Sequence, residues 1–130
     1  DITWVDTGAD RFPQDAKAAV LVAADPARAA AHAPADAHHL ILTYSHAIDL
    51  ELCHAVLSRP FASCGLIGSA TKWARFRGRL AALGHSPATI ARIACPIGDT
   101  RLGKHPQAIA IGVAMAMLGR NAARQIEAAG

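Results

Sequence analysis

The sequence predicts an α/β fold, a parallel sheet covered by helices on both faces, from three observations. Short apolar runs of strand character alternate along the chain with segments of helical periodicity. The runs carry few polar residues, as strands buried on both faces do. Aspartate, proline, serine and glycine stand at their ends, where turns are needed. With 130 residues the chain has the modal size of one domain, so residues 1–130 read as a single unit. Its 31 alanines, within a 52% hydrophobic composition, favour a helix-rich architecture over an all-β one.

Ile2–Val5 is a β-prone run closed by Asp6, and Ala19–Ala23 (AVLVA) is a second, closed by Asp25-Pro26. Ala27–His32 forms a short helix and His39–Thr43 (HLILT) the third strand. Ala47–Leu57 is a helix with Ile48, Leu52 and Val56 on one face. Ala62–Ile67 is the fourth strand, ended by Gly68. The helix Ala70–Leu83 follows, stopped by Gly84, with Trp73, Phe76, Leu80 and Leu83 as its buried face. Ser86–Arg92 reads as a short helix, Cys95–Leu102 as an irregular loop, and Pro106 to about Ala128 as a long helix with proline at the favourable first position. In such sheets ligands bind beyond the carboxyl ends of the strands.

Several classes fall away. The longest mainly apolar stretch without charge, Pro106–Gly119, is shorter than the ~20 residues a membrane helix needs. No basic segment followed by an apolar one opens the chain, so a cytoplasmic location is expected. Cys53, Cys64 and Cys95 form no C-x-x-C pair and read as free thiols. None of the seven histidines has a partner at i, i+4, the spacing of a helical metal site.

The net charge of +3 conceals an asymmetry. Residues 1–51 hold eight acids and three bases, whereas residues 52–98 hold six bases (Arg59, Lys72, Arg75, Arg77, Arg79 and Arg92) and no acid. Clustered charge steers anions. Only Trp73 and Phe76 lie within this cluster, too few for base stacking, so a small phosphorylated ligand fits better than nucleic acid.

The sharpest local feature is Gly65-Leu66-Ile67-Gly68-Ser69-Ala70-Thr71-Lys72, a strand that runs through a glycine turn into a helix. Unpaired N–H groups and the helix dipole at such a start attract phosphate, and Lys72 and Arg75 extend the positive surface. Equally, Gly68 serves the turn, Ser69 caps the helix and the bases form a solvated face. Thr43-Tyr44-Ser45-His46-Ala47-Ile48-Asp49 occupies the matching place after the third strand. There Ser45 caps the next helix, Asp49 complements its dipole, and His46 is placed to donate to a ligand or move a proton. Asp6 stands where dinucleotide folds place a ribose-binding acid, or caps a turn. Cys95 lies in a Cys-Pro-Ile-Gly loop, as a thiol activated by nearby bases or as a buried structural one.

Taken together, these runs resemble one family, the carboxyl-terminal Rossmann-like domain of the XdhC/CoxI xanthine dehydrogenase accessory proteins. The resemblance rests on Thr3-Trp4-Val5-Asp6 with Arg11-Phe12-Pro13, on Thr43 to Asp49, and on Gly65 to Ser69 with Lys72 and Arg75-Phe76. It extends through Cys95 to Gly98 and Lys104-x-Pro106 with Ile109-Ala110. Tyr44 and Ala94 stand where the family pattern usually has histidine.

What the resemblance implies is a non-enzymatic maturation factor. It would bind molybdenum cofactor (molybdopterin), a pterin ending in a phosphate, hold it through sulfuration, and deliver it to xanthine dehydrogenase or a related molybdoenzyme. A cysteine desulfurase is a further implied partner, and homo-oligomers are compatible with the reading. The implied cofactor-binding set is Asp6, Ser45, His46, Asp49, Gly65, Gly68, Ser69, Lys72, Arg75, Cys95 and Lys104, with Cys95 as a contact to molybdenum. The alternative, to which the bare fold would lead, is an NAD(P)-dependent oxidoreductase domain.

The family domain opens with a strand and a glycine-rich loop ahead of the Thr-Trp-Val-Asp run. Without that segment or an initiating methionine, the sequence reads as a truncated form. In a Rossmann-type sheet of order 3-2-1-4-5 the first strand is central. Ile2–Val5 and Leu40–Thr43 are therefore each expected to expose an unpaired apolar edge, unless they close on each other.

Overall fold

A computed structural model describes residues 1–98 and 105–129, the last ten of these as helical backbone. Its elements are β1 (Thr3–Asp6), a 3-10 turn (Ala9–Arg11), β2 (Ala19–Val22), α1 (Pro26–Ala30), β3 (His38–Ile41) and α2 (His46–Leu57). They continue with β4 (Ser63–Leu66), α3 (Ala70–Ala82), α4 (Pro87–Ile90), β5 (Ile93–Ala94) and α5 (Pro106–Ala129). The alternation is that of an α/β Rossmann-like domain. The 3-10 turn and β5 escape sequence reading because three and two residues are too few to show a period.

The strands form two parallel sheets, β1-β2 and β3-β4-β5. Thr3 pairs with Ala19 and Asp6 with Val22 in the first; His38 pairs with Ser63 and Cys64 with Ile93 in the second. These orders match the 2-3 and 4-5-6 halves of a Rossmann-type sheet. Among the described residues β1 and β3 do not pair with each other, so each keeps an unpaired edge.

Two burial expectations are corrected. The AVLVA run is not covered on both faces: Val20, Leu21 and Val22 are 50%, 45% and 51% exposed. A two-stranded sheet offers too little surface for layers to close over it, and β1 is held instead by an edge-on contact of Trp4 with Phe12. Leu83 is half exposed because α3 ends one residue before it.

The core lies on the second sheet, where Ile41, Leu66 and Ile93 from its strands meet Cys53, Val56 and Leu57 of α2 and Phe76 and Leu80 of α3. Both helices begin with a serine cap that fixes their entry from the strands. Ser45 Oγ accepts from the Ile48 N–H at 3.4 Å, and Ser69 Oγ from the Lys72 N–H at 3.2 Å. Gly65 has no room for a side chain, since a Cβ there would overlap Ile97 Cδ1. Gly98 adopts φ +91° and packs against the backbone of Gly112 and Val113 in α5, a position open only to glycine.

The basic segment divides in two. Arg59 donates to the Ala30 carbonyl at 2.9 Å, and Arg92 donates to the Phe61 carbonyl at 2.8 Å while lying over the Phe61 ring. Arg75, Arg77 and Arg79 are exposed on α3 and make no ion pair among the described residues. No helix among these residues is long and apolar enough to cross a membrane.

Two histidines set an acid limit on stability. Burial, then Arg59 and His38, hold His39 below the usual histidine value. Burial, then His54, do the same for His85, whose Nε2 lies 2.7 Å from His54 Nδ1. A lowered folded pKa means that the unfolded chain takes up these protons first, so this stability is complete above about pH 6.5 and is lost as pH falls below it. The melting temperature is expected to drop between pH 7.5 and 5.5, above the range where carboxylates titrate. The slope should be shallower in His39→Gln and His85→Gln, and a flat parent profile over that range would refute the assignment.

Candidate functional site

The carboxyl ends of β3 and β4 lead directly into α2 and α3, so both helix starts face one place beyond the second sheet. A cavity of about 330 Å³ lies there, lined by Leu42, Thr43, Tyr44, His46, Asp49, Ile67, Gly68, Ser69 and Lys72. The first N–H groups of α2 and α3 are in excess of their capping bonds, and both helix dipoles place partial positive charge at this point.

The floor is organised by one ion pair. Lys72 Nζ donates to Asp49 Oδ2 at 2.7 Å and to the Ile67 carbonyl at 3.0 Å, with the lysine side chain 10% exposed and the aspartate 1%. Asp49 Oδ1 accepts from the Thr43 N–H at 3.0 Å. The hydroxyl of Thr43 donates to the Ser45 carbonyl at 2.9 Å and accepts from the Ser45 N–H at 3.1 Å. The end of β3 and the starts of both helices are thus tied together. Lys72 is neutralised by Asp49, so the attraction for an anion comes mainly from the helix starts and the remaining ammonium N–H.

Gly68 keeps the wall thin. A Cβ at this position would stand 2.7 Å from Lys72 Cδ and 3.5 Å from Cys95 Sγ, so the thiol lies beside the cavity without lining it. The expectation that nearby bases activate Cys95 is corrected. Burial raises its pKa, and the opposing pull of Lys72 is the smaller effect. Burial, reinforced by Cys64, also raises the Cys53 thiol. None of the three cysteines is in a disulfide, and the described residues hold no group of three metal-ligating side chains.

Of the anticipated residues, the structure brings His46, Asp49, Gly68, Ser69 and Lys72 together around the cavity. Ser45 acts on its edge as the α2 cap, and Cys95 lies behind Gly68. Asp6 is the last residue of β1 in the other sheet, where its Oδ1 accepts from the Thr7 N–H at 2.7 Å in the turn-capping role. Gly65 is buried under Ile97, and Arg75 is exposed on α3 outside the cavity lining. Lys104 lies outside the described residues.

Sequence reasoning missed Leu42, Thr43, Tyr44 and Ile67 as lining residues; their position at strand ends was the available signal. It also missed the approach of Arg11, whose guanidinium lies 4.4 Å from the centre of the Tyr44 ring.

A search of the curated proteins finds no match. The family model for the XdhC Rossmann domain matches residues 1–117, a span that contains every described element of the two sheets and the whole cavity lining. The chain belongs to the XdhC family, through its Rossmann domain.

Proposed function

We propose that this domain serves as a molybdenum cofactor-binding chaperone, holding the pterin by its phosphate for delivery to xanthine dehydrogenase or a related molybdoenzyme. The observation that carries the proposal is the convergence of two capped helix starts on one cavity. Such starts offer N–H donors and dipole charge to a phosphate without requiring a free lysine. The volume, about 330 Å³, is at the small end of the range for ligand sites, suited to the phosphate and adjoining atoms of a larger molecule.

In this reading the first N–H groups of α2 and α3 bind the phosphate oxygens, with the remaining Lys72 proton as a further donor. His46, held edge-on to Phe76, is available to donate from the rim. The Asp49–Lys72 pair orients both helix starts and keeps the floor electrically balanced. Cys95 lies behind Gly68, and burial raises its pKa, which favours the protonated and less reactive thiol. The cofactor, when bound, would supply the molybdenum centre that the client enzyme needs.

The test is retention of cofactor. Purified chain incubated with molybdenum cofactor freed from a molybdoenzyme, then desalted and denatured under oxidising conditions, should release a fluorescent pterin. Excess inorganic phosphate should compete. Bound cofactor should also slow alkylation of Cys95 in the unsubstituted chain, and Lys72→Glu, compared at a temperature where circular dichroism shows it folded, should weaken retention about ten- to a hundredfold. Release of a nicotinamide nucleotide in place of a pterin would move the domain to the oxidoreductase class. Retention of neither, or alkylation at one rate with and without cofactor, would count against the site.

A further inference from the structure

We infer that Arg11 is a second anion-binding group of this site, and that the ligand carries two anionic groups, one for the helix starts and one for Arg11. The inference rests on the cavity being an anion site, and it concerns which class of anion the site selects.

Arg11 ends the 3-10 turn after β1, in the half of the molecule that does not build the cavity. Its guanidinium lies 4.4 Å from the centre of the Tyr44 ring, and Tyr44 lines the cavity. The arginine therefore reaches from the carboxyl end of one sheet to the carboxyl end of the other. Although residues 1–51 contain eight acids, Arg11 makes no ion pair among the described residues. Among these residues its charge has no ion-pair partner, whereas that of Lys72 is neutralised by Asp49 at 2.7 Å.

Stacking on an aromatic ring also prepares an arginine for binding. The ring holds the guanidinium plane while the N–H donors radiate outward within it, a fork that matches a phosphate or carboxylate in bidentate fashion. The cavity floor, electrically balanced and supplied with partial charges, suits one oxyanion. Arg11 adds a full charge at the Tyr44 side and suits another. A diphosphate, or a phosphate ester with a second acidic function, satisfies both; a simple monophosphate satisfies one.

The experiment is calorimetric titration at low salt of the parent chain, Arg11→Gln, Tyr44→Phe and Tyr44→Ala with inorganic phosphate, pyrophosphate and tripolyphosphate. Arg11 is exposed, so its substitution leaves the core untouched, and circular dichroism checks the fold of each variant. Arg11→Gln should weaken pyrophosphate or tripolyphosphate about ten- to a hundredfold and phosphate by less than about threefold. Tyr44→Phe, which keeps the ring, should match the parent, and Tyr44→Ala should match Arg11→Gln. Equal weakening of all three anions by Arg11→Gln, or weakening of none, would overturn the assignment while leaving the phosphate site standing. Failure of phosphate to bind the parent at all would overturn the anion site and this inference with it.

Discussion

Replacing Lys72 with methionine is expected to lower the unfolding free energy by about 3–5 kcal/mol, the cost of leaving a buried charge without its partner. Asp49 is 1% exposed, and its carboxylate meets Lys72 Nζ at 2.7 Å and the Thr43 N–H at 3.0 Å. Removal of the ammonium leaves a charge that water cannot reach. The pair itself adds little net stability, because desolvating two ions offsets most of their attraction. The double variant Lys72→Met/Asp49→Leu should therefore recover much of what the single variant loses. Urea unfolding followed by circular dichroism measures both. A single-variant loss below about 1 kcal/mol would mean that water reaches Asp49, and that the cavity floor is not organised as described.

This dependence explains why part of the site was legible from sequence and part was not. Ser45 and Ser69 could be read because capping is local, a serine followed within three residues by the N–H that it accepts. The glycine turn at Gly68 and the positions of Asp49 and Lys72 near helix starts were legible for the same reason. That Asp49 and Lys72 neutralise each other was not, because they lie 23 residues apart and meet only when β3 and β4 pair in register. Spacing groups Arg75 with Lys72, yet Lys72 turns inward to a partner and Arg75 has no ion pair among the described residues. Arg11 reaches Tyr44 across two sheets, a contact that no local pattern encodes. At the level of fold, alternation gave the parallel α/β arrangement, whereas the exposure of AVLVA depends on what covers that sheet.

The chain alone is expected to self-associate at micromolar concentration through the edges of β1 and β3. Both edges lack a strand partner among the described residues, and beside them Trp4, Val5, Leu40 and Leu42 are 42%, 37%, 38% and 60% exposed. Unpaired N–H and C=O groups next to apolar side chains template pairing with another strand, and native proteins rarely leave them uncovered. Sedimentation should show concentration-dependent species larger than a monomer. Val5→Lys with Leu40→Lys should reduce them, since an edge lysine keeps its charge in water and disfavours a second strand. A chain with one further parallel strand ahead of Thr3, followed by a crossover back to β1, should be monomeric. It should also be more stable by several kcal/mol, because each apolar side chain taken fully out of water contributes roughly 1.5–3 kcal/mol. Right-handed crossovers and parallel pairing would seat that strand between β1 and β3, joining orders 3-2 and 4-5-6 into one sheet. The same closure would fix the distance between Arg11 and the starts of α2 and α3, so anion affinity and sheet continuity should rise together. A short chain that stays monomeric, with a melting temperature equal to that of the longer one, would show that the strand order differs and that β1 and β3 need no neighbour.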